Sequence, residues 1–164
     1  MKTLIIVRHA KSSWDYPGLS DFDRPLNTRG ERDAPRMGKR LKEKDLSPDM
    51  LVSSPARRAI DTCEIIARAI GYPKESIVRD KRIYHADEEQ LLSLVRHFDD
   101  KVAQVLLFGH NPGLTDFANS LTNAQIDNIP TCGIVACRFQ SDQWTDIKWG
   151  TGKLWFFDYP KKKD

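Results

Sequence analysis

Leu4-Ile5-Ile6-Val7-Arg8-His9-Ala10-Lys11 is the stretch that decides how the rest of the chain is read. Four apolar residues in a row, mostly β-branched, suit a strand buried on both faces, and the run stops abruptly at an arginine and a histidine. Such a strand delivers Arg8 and His9 to the end of a sheet. In open α/β sheets ligands bind at that carboxyl end, so the pair is a candidate for holding and attacking an anion. Alone, it reads more readily as a solvated strand end followed by a satisfied polar residue. Two later stretches change the balance: Val105-Leu106-Leu107-Phe108-Gly109-His110, which ends the same way, and Ser54-Pro55-Ala56-Arg57, which puts an arginine at a helix start.

The chain has 164 residues, enough to bury one sheet between two layers of helices, and residues 1–160 are expected to form one catalytic domain with a basic tail over 161–164. A net charge of +3 suits anionic substrates, but no basic stripe interleaved with aromatics points to nucleic acid. The first apolar run is too short for a signal peptide, and no later one reaches the length of a membrane span. A soluble cytoplasmic protein is expected. Cys63, Cys132 and Cys137 contain no Cys-x-x-Cys pair and leave one thiol over in any disulfide scheme, which fits a reducing compartment. His9, His85, His97 and His110 lack metal-ligand spacing, so neither metal nor cofactor is expected.

Along the chain, a polar loop from Ser12 to Leu26 carries Trp14, Tyr16 and Phe22. Thr28 with Glu31 forms a capping-box pattern before a helix with Ala34, Met37, Gly38 and Leu41 at helical spacing, and Pro35 implies a later start or a kink. Met50–Ser53 is a short strand. Ser54 as N-cap and Pro55 as first helical residue open a helix that buries Ala59, Ile60, Cys63 and Ala67 and stops at Gly71. Its N-terminus is an anion site onto which Arg57 is expected to project. Asp87 and Gln90 cap a further helix, Val102–Phe108 is a strand, and Gly109–Gly113 turns into a helix carrying Leu114, Phe117 and Leu121. Cys132–Phe139 and Lys153–Phe157 read as closing strands. The alternation predicts a three-layer α/β/α sandwich with a mainly parallel sheet and an antiparallel edge strand.

In such a sheet, Arg8, His9, His110 and Arg57 surround one small volume. Guanidinium groups grip phosphate oxygens in pairs, so the set reads as a dianion pocket. A neutral imidazole can attack phosphorus and form a phosphohistidine that water hydrolyses, while a second, protonated imidazole would donate to the transferring group. Metal-dependent phosphatases need a carboxylate cluster, and cysteine phosphatases a phosphate loop around the thiol. Neither pattern is present.

Leu4–Ala10, Ser53–Ala59 and Gly109–Gly113 resemble, in order, the motifs of the histidine phosphatase superfamily, which includes cofactor-dependent phosphoglycerate mutases and acid phosphatases. Arg8–Trp14, Asp23–Leu26 and Ile83-Tyr84 are similar to the SixA-type phosphohistidine phosphatases in particular. The resemblance implies that His9 is the nucleophile, that Arg8 and Arg57 bind the phosphoryl group, and that His110 is the second pocket histidine. Ser54 and Asn111 are neighbours that serve equally well as cap or turn residues. The Asp23-Arg24 pair is expected to tie its loop to the following helix. Mutase-like members carry a glutamate general acid after the second helix, but Asp80–His85 offers none, and Asp80, His85, Asp87 and Glu88 are the substitutes nearby. Three readings follow: a phosphatase acting on phosphohistidine in a protein, one acting on a small phosphate ester, and a phospho-ligand binding module without turnover. A binder needs the arginines but not His9, which argues against the third.

Overall fold

In the computed structural model, which describes residues 1–162, the opening stretch forms strand β1 (Lys2–Arg8), with Leu4, Ile5, Ile6 and Val7 fully buried. Strands β2 (Met50–Ser53), β3 (Val78–Arg79), β4 (Gln104–Gly109), β5 (Ile134–Phe139) and β6 (Lys153–Asp158) join it in one sheet. The strand order is β3-β2-β4-β1-β5-β6. The β1–β4, β2–β4 and β2–β3 pairs are parallel, while β1–β5 and β5–β6 are antiparallel, so the sheet is parallel apart from one antiparallel edge.

Helices α1 (Thr28–Glu43) and α2 (Arg57–Ile70) pack on one face with Ile5, Val7, Leu106 and Phe108. Helices α3 (Glu88–Arg96) and α4 (Gly113–Thr122) cover the other with Leu4, Ile6, Val105 and Leu107. Side chains alternate across a strand, so an unbroken apolar run is what a doubly covered strand requires. Each such side chain contributes about 1.5–3 kcal/mol on burial.

Several local expectations change in detail. Asn27, not Thr28, caps α1: its side chain accepts the Gly30 amide, and Thr28 becomes the first helical residue. Pro35 lies inside an unbroken α1. The residue that locates α1 is Gly30, where a Cβ would stand 2.2 Å from the Lys11 carbonyl oxygen, so the helix presses directly on the turn after β1. Helix α2 starts at Arg57, two residues later than its Ser54-Pro55 signal, because the Ser54 hydroxyl accepts the Ala56 amide in a local turn instead of capping. At the other end, Gly71 takes the left-handed conformation with φ 78°, as its position after the last apolar residue implies. Asp87 and Gln90 form the capping box at α3. Of the basic tail, Lys162 reaches back to the Phe157 carbonyl, and Lys163 and Asp164 lie outside the described residues.

Candidate active site

The sheet register assembles the site. Arg8 on β1 pairs with Gly109 on β4, and Ser53 on β2 pairs with Phe108, so His9, His110 and Ser54 each follow the end of one of three adjacent parallel strands. Backbone hydrogen bonds from His9 to Gly109 and from Ser54 to Phe108 hold that alignment at 3.1 and 3.0 Å. The two imidazoles lie with centroids 5.3 Å apart. His9 Nδ1 is 2.7 Å from the Ala10 carbonyl, an acceptor, which places the ring proton on Nδ1 and leaves Nε2 with its lone pair. Ala10 is itself held by its amide, which donates to Thr62 Oγ1 of α2. His110 is held by a 2.8 Å hydrogen bond between Nε2 and Ser54 Oγ, and its buried Nδ1 has no partner among the described residues. Ser54 is thus the turn residue that steadies the second histidine. Asn111 bridges to Asn128 and to the Ile129 carbonyl and accepts from Thr115, so it shapes the turn beyond His110.

The structure divides the expected arginines. Arg8 is part-buried, donates to the Ile129 carbonyl at 2.9 Å, and keeps a buried Nε without a partner among the described residues. Arg57 does not join it. Its side chain is 57% exposed, pairs with Asp61 one turn on at 3.6 Å, and belongs to a groove with Glu31, Glu64 and Arg68 on the outside of α2. The neighbouring Arg58 turns inward instead, with a side chain 7% exposed and a charge that acts on Arg8, His9 and His110. The cause is helical phase: with Arg57 as the first helical residue, the next one points about 100° further round.

Arg24 is a second basic residue that the sequence reading placed elsewhere. It is buried, donates from Nε to the Ser13 carbonyl at 3.0 Å and from Nη2 to Ser12 Oγ, and pairs with Asp21 at 3.1 Å, not with Asp23. Its charge reaches His9. The exposed Trp14 ring lies over its guanidinium, 3.3 Å from Cζ to centroid. Asp21 also accepts from Arg58 and from the Tyr84 hydroxyl, and Tyr84 packs edge-on against His110 with centroids 5.4 Å apart. Arg58, Arg24, Asp21 and Tyr84 are the members of the cluster that sequence reasoning missed.

Of the substitute acids, Asp80 is paired with Arg82 and Glu88 is bonded to Ser120. His85 and Asp87 line a cavity of ≈180 Å³ beside His110, where His85 stacks on Tyr84 and holds a left-handed φ of 61°. Among the described residues, no group of three His, Cys, Asp or Glu side chains is placed to share a metal ion.

Burial pushes His9 down to about 3, reinforced by the charges of Arg58, Arg8 and Arg24, and burial together with His9 and Arg58 does the same to His110. Both rings are therefore neutral at pH 7. A dianion beside His110 would favour its cationic form. This has a consequence for stability. Between the folded values near 3 and the ordinary value of 6.5 the unfolded chain binds more protons, so stability is full above about pH 6.5 and falls as pH drops toward 3. The slope in urea unfolding between pH 6.5 and 4.5 should approach about 1.4 kcal/mol per pH unit for each histidine. It should shrink in a His9→Ala variant and when inorganic phosphate is added.

Comparison with known proteins agrees with this geometry. The model of the histidine phosphatase superfamily (branch 1) matches residues 4–84. An uncharacterized protein of Mycobacterium tuberculosis is 31% identical over 166 residues, spanning 94% of this chain and 100% of its own. A protein of Agrobacterium tumefaciens described as a candidate phosphohistidine phosphatase SixA is 28% identical, with a TM-score of 0.81 over 97% of this chain and 98% of that one. The protein histidine phosphatase SixA solved with tungstate shares the fold at a TM-score of 0.81 and 22% identity, covering 96% and 97% of the two chains. The matched motif region, the full-length relative and the common fold establish that this chain belongs to the histidine phosphatase superfamily and is a phosphatase.

Proposed function

We propose that the enzyme removes the phosphoryl group from phosphohistidine on a protein, without a metal, through a phosphohistidine intermediate on His9. The observation that carries this reading is the His9 ring itself: Nδ1 faces the Ala10 carbonyl, so Nε2 is an unprotonated nucleophile at neutral pH. Arg8 and Arg58 neutralise the phosphoryl oxygens, a task that many phosphatases give to a cation. The Nε2 lone pair forms a bond to phosphorus as the bond from phosphorus to the substrate ring breaks; that ring carries a proton on its other nitrogen, so it leaves with the electron pair as a neutral imidazole. Water then attacks phosphorus as the bond to Nε2 breaks, Nε2 recovers its lone pair, and both water protons leave with inorganic phosphate. In this reading residues 1–160 work as one catalytic domain in the cytoplasm. No helix among the described residues is long and apolar enough to cross a membrane.

The substrate class follows from the leaving group. An alkoxide needs a proton as it departs, help typically worth about 10² to 10⁴ in rate, whereas an imidazole has an intrinsic pKa of about 6.5. Asp80 is paired with Arg82 and Glu88 is bonded to Ser120, so neither is placed to deliver that proton. Phosphohistidine and phosphoramidates should therefore be cleaved fastest, activated aryl phosphates next and alkyl phosphates last, with rates unchanged after exhaustive chelation. A second reading, a small phosphate ester as substrate, is favoured by the ≈180 Å³ cavity with His85 and Asp87 beside His110. Assaying a phosphorylated histidine-containing protein beside a panel of sugar and glycerol phosphates separates the two. Sugar phosphates cleaved as fast as phosphohistidine, with selective loss on substituting His85 or Asp87, would replace the first reading by the second.

A further inference from the structure

We propose that Asp21 is the positioning residue that sets Arg58 and Arg24 around His9 before substrate arrives. The proposal rests on the reading of Arg58 as a phosphate ligand. Asp21 opens the single 3-10 turn Asp21–Asp23 in the loop between β1 and α1. Its backbone carbonyl accepts from Arg58 Nη1 at 2.6 Å, and its Oδ2 accepts from Arg58 Nη2 at 3.0 Å, so one residue grips both terminal nitrogens of the guanidinium. Oδ1 accepts from Arg24 Nη1 at 3.1 Å. Oδ2 also accepts from the Tyr84 hydroxyl at 2.7 Å, and Tyr84 packs edge-on against both Phe22 and His110.

The arrangement answers a physical problem. Arg8, Arg24 and Arg58 all act on His9, and their like charges repel one another. A long, flexible guanidinium so placed would swing out to water unless something fixes it. Asp21 supplies a fixed counter-charge at the outer wall: its side chain is 45% exposed, while that of Arg58 is only 7% exposed. Hydrogen bonds from Tyr84 and then Arg58 hold its carboxyl well below the usual carboxylate range, so it stays ionised across the working pH. With both terminal nitrogens of Arg58 held by Asp21, that guanidinium is fixed in place before charge develops on the transferring group, so little reorganisation is needed.

The test uses the whole chain with p-nitrophenyl phosphate as substrate, inorganic phosphate as competing ligand, and thermal unfolding measured alongside. Asp21→Asn keeps the size of the side chain but turns an amide donor toward arginine or tyrosine donors. It should lower kcat/KM by about 10²-fold, the cost of a small misplacement of a catalytic group, and weaken inhibition by phosphate. In an Arg58→Ala background the same substitution should cost clearly less than in the wild type, leaving only the part that acts through Arg24. If Asp21 merely tied down the loop, its effect would persist in full in that background. An unchanged kcat/KM in Asp21→Asn, or full additivity with Arg58→Ala, overturns the positioning role. Full activity in Arg58→Ala alone would overturn the reading of the pocket and the role of Asp21 with it. Should Asp21→Ala fail to fold, the isosteric Asp21→Asn still decides.

Discussion

His9→Ala should abolish turnover, lowering kcat on the order of 10⁴-fold or more, while inorganic phosphate continues to bind. The separation arises because binding and chemistry rest on different groups. Arg8 and Arg58 remain after the substitution, and Nε2, the only atom assigned to attack phosphorus, is gone. Removing a buried imidazole also removes a group that resists protonation, so the variant should lose less stability in acid than the parent. Rapid quenching at neutral or alkaline pH, which spares a phosphoramidate bond, should trap phosphate on His9 in the wild type and none in the variant. A variant that kept most of its rate would move the nucleophile to another residue.

Arg58→Ala should cost about 2.7–4 kcal/mol of transition-state stabilisation, or 10² to 10³ in kcat/KM, whereas Arg57→Ala should leave activity nearly unchanged. Adjacent arginines in one motif would then differ by two orders of magnitude or more. Arg58 is buried among the pocket residues and locked by Asp21, so its loss takes away donors and leaves the Asp21 carboxylate without its main counter-charge. Arg57 forms an exposed pair with Asp61, of the kind worth about 0.3–0.5 kcal/mol within a helix. Arg58→Lys should recover little, since an ammonium group cannot reproduce a guanidinium held at both ends. Equal losses at the two positions, measured as kcat/KM on one aryl phosphate, would contradict the placement of the helix start.

The strands with unbroken apolar runs and abrupt polar ends were legible because burial on both faces leaves an unmistakable pattern. The two histidines followed from them, being placed by strand ends and register. The arginine was misplaced for an equally local reason. Ser54-Pro55 looks like a cap followed by a first helical residue, but the Ser54 hydroxyl bonds to the Ala56 amide and to His110 instead. A signal was available in the charge pattern. Arg57, Asp61, Glu64 and Arg68 recur at helical spacing and form a charged face, whereas Arg58 shares the other side with Thr62 and Ile66, both buried. Arg24 and Tyr84 could not be placed this way, because their roles depend on how the Ser12–Leu26 loop and the Asp80–Tyr84 segment fold back over the sheet. Neither has a periodicity that states where it lands.

The three thiols carry a consequence for how such an enzyme meets oxidants. Cys63, Cys132 and Cys137 are buried, and burial raises all three, Cys137 to about 12, so none presents a thiolate to solvent. Peroxide attacks thiolates, and phosphatases that use one as nucleophile are switched off by it. If the nucleophile is the imidazole proposed above, with these three thiols sealed in the core, dephosphorylation here should continue through an oxidative burst that silences cysteine-based phosphatases.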